Sequence, residues 1–121
     1  MVYAVEESSS ACDDFAINLD VYDHINLYIG AVKDIVPQLD IHPESILLDP
    51  PRAGIDPKTL ESIIAYNAQK IVYVSCDVST LSRDLKRLLD GGYRLVEITP
   101  FDMFPQTFHI ECVAMLALNE K

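Results

Sequence analysis

The chain has 121 residues, half of them apolar, which is enough for one small cored domain and excludes a disordered chain. Its net charge of −10 argues against a stand-alone nucleic-acid binder, because phosphate backbones are held by clustered Lys and Arg. The imbalance is local: residues 1–50 carry ten acidic and one basic side chain, and residues 51–121 carry nine and eight.

Val2–Glu6 reads as a strand that ends in an acidic pair, Glu6-Glu7. Ser8–Asp20 reads as a helix, with Ala11, Phe15 and Leu19 four residues apart. Ile25–Gly30 is a second strand, and Val32–Leu39 a short helix ended by a Pro-containing loop. Ser45–Asp49 is almost wholly apolar, as buried parallel strands are. Asp56 is a good N-cap and Pro57 a good first residue for a helix running to Ala68, with Leu60, Ile63 and Ile64 inward. Ile71–Ser75 is a β-branched and aromatic strand. The helix after it packs through Leu81, Leu85, Leu88 and Leu89 and stops at Gly91-Gly92. Tyr93–Thr99 and Ile110–Leu118 read as the last strands, with a loop over Pro100–His109. The alternation implies a single α/β domain over residues 1–121, with a mostly parallel Rossmann-like sheet and helices on both faces.

That sheet begins oddly. Doubly wound folds open with a strand, a Gly-rich turn and a helix. The only glycines here are Gly30, Gly54, Gly91 and Gly92, and there is no G-x-G-x-x-G. The acidic end of the first strand fits the second strand of such a fold, the one that holds ribose hydroxyls. The first strand and its turn are therefore expected to be missing.

Cys12, Cys76 and Cys112 are odd in number, widely spaced and lack any C-x-x-C pair, which points to free thiols in a reduced, cytoplasmic setting. His24, His42 and His109 have no ligand spacing with each other or with the cysteines, so no metal site is expected. The start has no basic n-region or apolar h-region. No apolar run approaches the roughly 20 residues that span a bilayer.

Three stretches carry chemistry. In the first, Asp49-Pro50-Pro51-Arg52-Ala53-Gly54, an apolar strand ends in an acid and a rigid turn, at the strand end where open α/β sheets bind ligands. Asp49 could accept hydrogen bonds there, or serve only as a turn former. In the second, Cys76 stands where a strand hands over to a helix, whose positive end favours a thiolate. It reads as a nucleophile or as a packed cysteine. In the third, a Pro-containing loop delivers His109 and Glu111 to the start of an apolar run. A desolvated carboxylate there suits a general base, and its bland alternative is a solvated strand end.

Together, and in this order and spacing, these stretches resemble the RNA uracil-5-methyltransferase family. The family carries Asp-Pro-(Pro/Ala)-Arg-x-Gly, then Ser-Cys-(Asn/Asp)-x-x-Thr-x-x-(Arg/Lys)-Asp, then Met-Phe-Pro-x-Thr-x-His-(Leu/Ile/Val)-Glu. The chain has Asp49–Gly54, Ser75–Asp84 and Met103–Glu111 in the matching places. The resemblance implies an S-adenosylmethionine-dependent enzyme acting on tRNA or rRNA, with an incomplete class I methyltransferase sheet. It implies that Cys76 attacks C6 of a flipped-out uracil and that Glu111 later removes the C5 proton. Asp49 and Glu6 would contact the cofactor. Gly30-Ala31-Val32 stands where the family has Gly-Asp. Relative to the family, the first strand, its turn and the N-terminal RNA-binding regions are missing. The expectation is a chain that is weak or inactive alone and forms homodimers through unpaired strand edges.

Three rivals are weighed against this reading. A methyltransferase acting on an exocyclic amino group would share Asp-Pro-Pro but follow it with an aromatic residue, where Arg52 stands. A cysteine hydrolase would use Cys76 with His109. A non-catalytic α/β module that dimerises would bind no cofactor.

Overall fold

A computed structural model describes residues 1–102, 106 and 110–121. The chain forms two compact units, residues 1–40 and 41–121.

The first unit is a strand–helix–strand. β1 (Val2–Glu6) and β2 (Ile25–Ile29) pair in parallel, from Val2 opposite Ile25 to Glu6 opposite Ile29. Parallel neighbours need a crossover, and α1 (Ser9–Leu19) supplies it. Ser8 caps α1 by accepting from the Ala11 amide. The expected helix over Val32–Leu39 is split into α2 (Val32–Ile35) and a 3-10 turn at Val36–Gln38. Pro37 has no N–H to give the carbonyl of Lys33, so the α-helix cannot run through it.

The second unit is a four-stranded sheet in the order β3-β4-β6-β5. Its strands are β3 (Ser45–Leu48), β4 (Lys70–Ser75), β5 (Tyr93–Phe101) and β6 (Glu111–Leu118). α3 (Pro57–Ala65) joins β3 to β4, and α4 (Val78–Asp90) joins β4 to β5. β3 and β4 are parallel, and β6 is antiparallel to both β4 and β5. Three of the four strands therefore point the same way, with β6 reversed between two of them. No strand pair among the described residues joins this sheet to the β1–β2 pair, and each unit is an α/β arrangement of Rossmann-like character.

The core follows from strand alternation. Ile71, Tyr73 and Ser75 of β4 and Cys112, Ala114 and Leu116 of β6 share one face, and all are buried. Leu60 and Ile63 of α3 and Leu81 and Leu88 of α4 complete it. Tyr93 is buried with its hydroxyl donating to the Ala68 carbonyl at 2.9 Å. The expected inward set was too wide: Ile64 and Leu85 are half-buried, and Leu89 is 42% exposed.

Some boundaries differ from those expected. α3 stops at Ala65 rather than Ala68, because Asn67 takes a left-handed conformation with φ of 51°, which Asn tolerates as a helix terminator. α4 ends at Gly91 as expected, and Gly92 follows it at φ of 101°. β5 continues through Pro100 and Phe101, which pair with Cys112 and Glu111. Proline is tolerated there because β5 is an edge strand, where a missing donor costs nothing on the outer side.

Leu116 is 0% exposed and Leu47 is 72% exposed. Leu116→Ala is expected to cost about 2–5 kcal/mol in a urea melt, through lost burial and a residual cavity. Leu47→Ala should stay within about 0.5 kcal/mol.

Candidate functional site

Strand direction gathers the second unit's candidate residues at one end of its sheet. β3 and β4 run in parallel and finish at Leu48 and Ser75, while β6 starts there at Glu111. Asp49 follows the last residue of β3, and Cys76 follows the last residue of β4. The last rung of the β4–β6 ladder pairs Ser75 with Cys112. The next residue of each chain segment beyond that rung is Cys76 after β4 and Glu111 at the start of β6. Cys76 and Glu111 are both half-buried, whereas Asp49 is exposed.

The backbone around Cys76 is fixed by its neighbours. Ser75 is buried, and its Oγ donates to the Asp77 carbonyl at 2.8 Å while accepting from the Asp77 amide at 3.1 Å. Asp77 is the N-cap of α4, accepting from the Thr80 amide at 2.9 Å. The Thr80 amide holds the Asp77 carboxyl below the usual carboxylate range, and the nearby Arg52 charge works in the same direction. Cys76 is thus a free thiol on a rigid strand-to-helix turn, the position expected for it.

The loop from Asp49 to Asp56 is tied down at its far end. Gly54 donates to the Pro51 carbonyl at 2.8 Å and adopts a φ of 75°, which suits glycine. A Cβ at Gly54 would run into Arg83 Nη2 and Asp84 Oδ2. Asp56 then caps α3 through the Thr59 amide at 3.1 Å and the Thr59 hydroxyl. These bonds from Thr59, the hydroxyl first, lower the Asp56 carboxyl.

Glu6 lies in the first unit, at the last position of β1. Its Oε1 accepts from the amides of Glu7 at 2.9 Å and Ser8 at 2.8 Å. The carboxylate is therefore oriented by backbone at a strand end, with its second oxygen left for other donors.

Met103, Phe104, Pro105, Thr107, Phe108 and His109 lie outside the described residues, so the hydrolase pairing of Cys76 with His109 falls there too. Among the described residues, no group of three or more His, Cys, Asp or Glu could hold a metal ion. No helix among them is long and apolar enough to cross a membrane.

Sequence reasoning assigned no part to Ser75, Tyr73 or Asp84. A signal for Asp84 was present. It lies three residues after Leu81 and four before Leu88, so an acid interrupts the buried stripe of α4.

Comparison with known proteins gives one consistent picture. Residues 30–119 match the family model described as tRNA (Uracil-5-)-methyltransferase. An uncharacterized RNA methyltransferase of Streptomyces avermitilis is 40% identical over 116 residues, covering 95% of this chain and 27% of that protein. One from Listeria monocytogenes is 42% identical over 123 residues, covering 98% and 27%. The chain thus spans about a quarter of the length of these relatives. Among solved structures, the Pyrococcus abyssi tRNA (uracil-54, C5)-methyltransferase in complex with S-adenosyl-L-homocysteine superposes with a TM-score of 0.81 at 30% identity. That match covers 96% of this chain and 28% of the other. A precorrin-6y C5,15-methyltransferase from Geobacter metallireducens shares the fold, with a TM-score of 0.73 at 14% identity, 95% of this chain and 66% of the other being covered.

The caps at Asp56 and Asp77 predict an acid limb in stability. Both carboxyls lie lower in the folded chain than in the unfolded one. Their contribution is therefore fully present above the unfolded value of about 4 and is lost as pH falls through the folded value. Asp77→Asn keeps a capping oxygen but cannot titrate. Urea melts from pH 6 to pH 2 should show a shallower acid loss for Asp77→Asn than for the unaltered chain.

Proposed function

The chain belongs to the tRNA (uracil-5-)-methyltransferase family, and from that premise we propose that it carries the reacting groups for methylating C5 of uracil in tRNA or rRNA. What supports this reading most is the β4–β6 ladder, whose last pair, Ser75 with Cys112, has Cys76 and Glu111 as the next residues of the two segments.

In this proposal Cys76 Sγ, as thiolate, adds to C6 of the target uracil. The electron pair of the C5=C6 bond moves toward C5, which becomes nucleophilic. S-adenosylmethionine, when bound, would supply the methyl group that C5 takes up, its sulfur–methyl bond breaking to leave S-adenosylhomocysteine. Glu111 then removes the remaining C5 proton, the C5=C6 bond re-forms and Cys76 leaves as thiolate. The base must be flipped out of its stack for Cys76 to reach C6.

The carboxylates at strand ends fit the cofactor's chemistry. Glu6, with one oxygen fixed by two amides, is an acceptor suited to ribose hydroxyls. Asp49, exposed beyond β3, is an acceptor for N–H or O–H donors of the same ligand. The proposal includes a reduced, cytoplasmic setting, in which Cys12, Cys76 and Cys112 stay free thiols. It also includes self-association through the free edges of β1 and β3, each of which pairs with a single strand among the described residues. Sedimentation that shows no concentration dependence would contradict that part.

Methyl transfer from labelled cofactor to uridine-containing RNA, with the N-terminal part of a full-length relative added, tests the roles. Cys76→Ala should lower the rate by at least about 10³-fold, as loss of a covalent nucleophile does. Glu111→Gln should lower it by about 10²–10⁴-fold and let the RNA–protein adduct accumulate. Transfer retained by Cys76→Ala would instead favour chemistry on an exocyclic amino group.

A further inference from the structure

Asp84 is a charged side chain with 0% exposure, and the reaction above does not use it. Its Oδ2 accepts from the Ile55 amide at 2.9 Å and from the Tyr73 hydroxyl at 2.6 Å. Its Oδ1 accepts from Arg83 Nε at 3.1 Å. Arg83 Nη2 in turn donates to the Ala53 carbonyl at 2.8 Å. Two consecutive residues of α4 thus hold residues 53–55 of the loop that begins at Asp49. Burial and the bond to Asp84 push the Tyr73 phenol far above its ordinary value, so Tyr73 stays a donor.

This arrangement is costly for stability alone. A buried charge must be paired and hydrogen-bonded, and well-packed apolar residues often serve as well. The stripe position between Leu81 and Leu88 would accept a leucine. What a leucine could not do is receive the Ile55 amide and orient Arg83 toward Ala53. The loop's other end is fixed where Leu48 pairs with Tyr73 in the β3–β4 ladder. Between the two ends, Pro50 and Pro51 have fixed φ. The segment from Asp49 to Ile55 therefore has little slack. Even the glycine is required, because a side chain at position 54 would strike both members of the α4 pair.

We infer that Asp84 is a positioning residue: with Arg83 it locks the segment Asp49–Ile55 onto α4, so that Asp49 and Arg52 keep their place beside the Cys76–Asp77 turn. The catalytic meaning of that lock rests on the methyltransferase reading, but its existence does not.

Amide hydrogen exchange of the full chain, without RNA or cofactor, tests the lock directly. The reporter is the Ile55 amide, read as a ratio to core amides of β4 and β6. Asp84→Ala removes every acceptor and should raise the Ile55-to-core exchange ratio by about tenfold or more. Asp84→Asn keeps an oxygen for Ile55 but loses Arg83, and should give a smaller rise. Gly54→Ala attacks the lock from the loop side and should raise the ratio with Asp84 itself unsubstituted. Tyr73→Phe removes a bond to the same carboxylate but none to the loop, and should leave the ratio within about threefold even if the whole chain is destabilised. If Asp84→Ala does not fold, Asp84→Asn and Gly54→Ala decide. A uniform rise across loop and core in all variants, or an unchanged Ile55 ratio, would overturn the inference and make Asp84 ordinary core support. Because no substrate is present, this outcome is independent of whether methyl transfer is observed.

Discussion

The antiparallel pairing of β4 with β6 is the constraint on which the second unit depends. β6 is the last strand in sequence, yet it lies inside the sheet with β4 on one side and β5 on the other. Its alternate residues Cys112, Ala114 and Leu116 form the buried face together with Ile71, Tyr73 and Ser75. A slip of one residue would turn all of these outward. The same slip would separate Cys76 from Glu111, because the rung that pairs Ser75 with Cys112 is what brings the two strand ends together. Core packing and the candidate chemistry are therefore set by one register.

The polar groups buried behind that register are all satisfied. No buried side-chain nitrogen or oxygen among the described residues lacks a hydrogen-bond partner. Ser75, Tyr73 and Asp84 are each buried, and each bonds a segment other than a regular ladder: the turn after β4, the middle of α4, and the loop before α3. Such bonds add modest net stability, but they select one backbone geometry at the strand ends. Rigid strand ends suit the proposed chemistry, in which a thiol and a carboxylate act on one base.

Much of the fold was legible because the signals are local. Asp56-Pro57 announced a helix start, Gly91-Gly92 a helix stop, and the β-branched run at 71–75 a strand. The misreadings were cases where context overrides a local rule. Pro100 was taken as a break, but an edge strand tolerates it. Leu89 was taken as inward, but the buried stripe of α4 runs through Leu81, Asp84 and Leu88. The three motifs could be found by order and spacing. The gathering of Asp49, Cys76 and Glu111 at one sheet end could not, since it depends on β6 inserting between β4 and β5. Asp84 closes the second motif, but the motif gives it no role; its hydrogen bonds to Ile55 and Tyr73 supply one.

The central claim is that Cys76 forms a covalent bond to a uracil. The most direct measurement is mass spectrometry of the chain after incubation with S-adenosylmethionine and RNA containing 5-fluorouridine, with the N-terminal part of a relative present. Fluorine at C5 leaves no proton for Glu111 to remove, so the adduct cannot resolve. The account predicts an RNA-derived mass on the peptide that contains Cys76, and its loss in Cys76→Ala. Methylation of ordinary uridine in the same RNA with no adduct on Cys76 from the fluorinated one would contradict it.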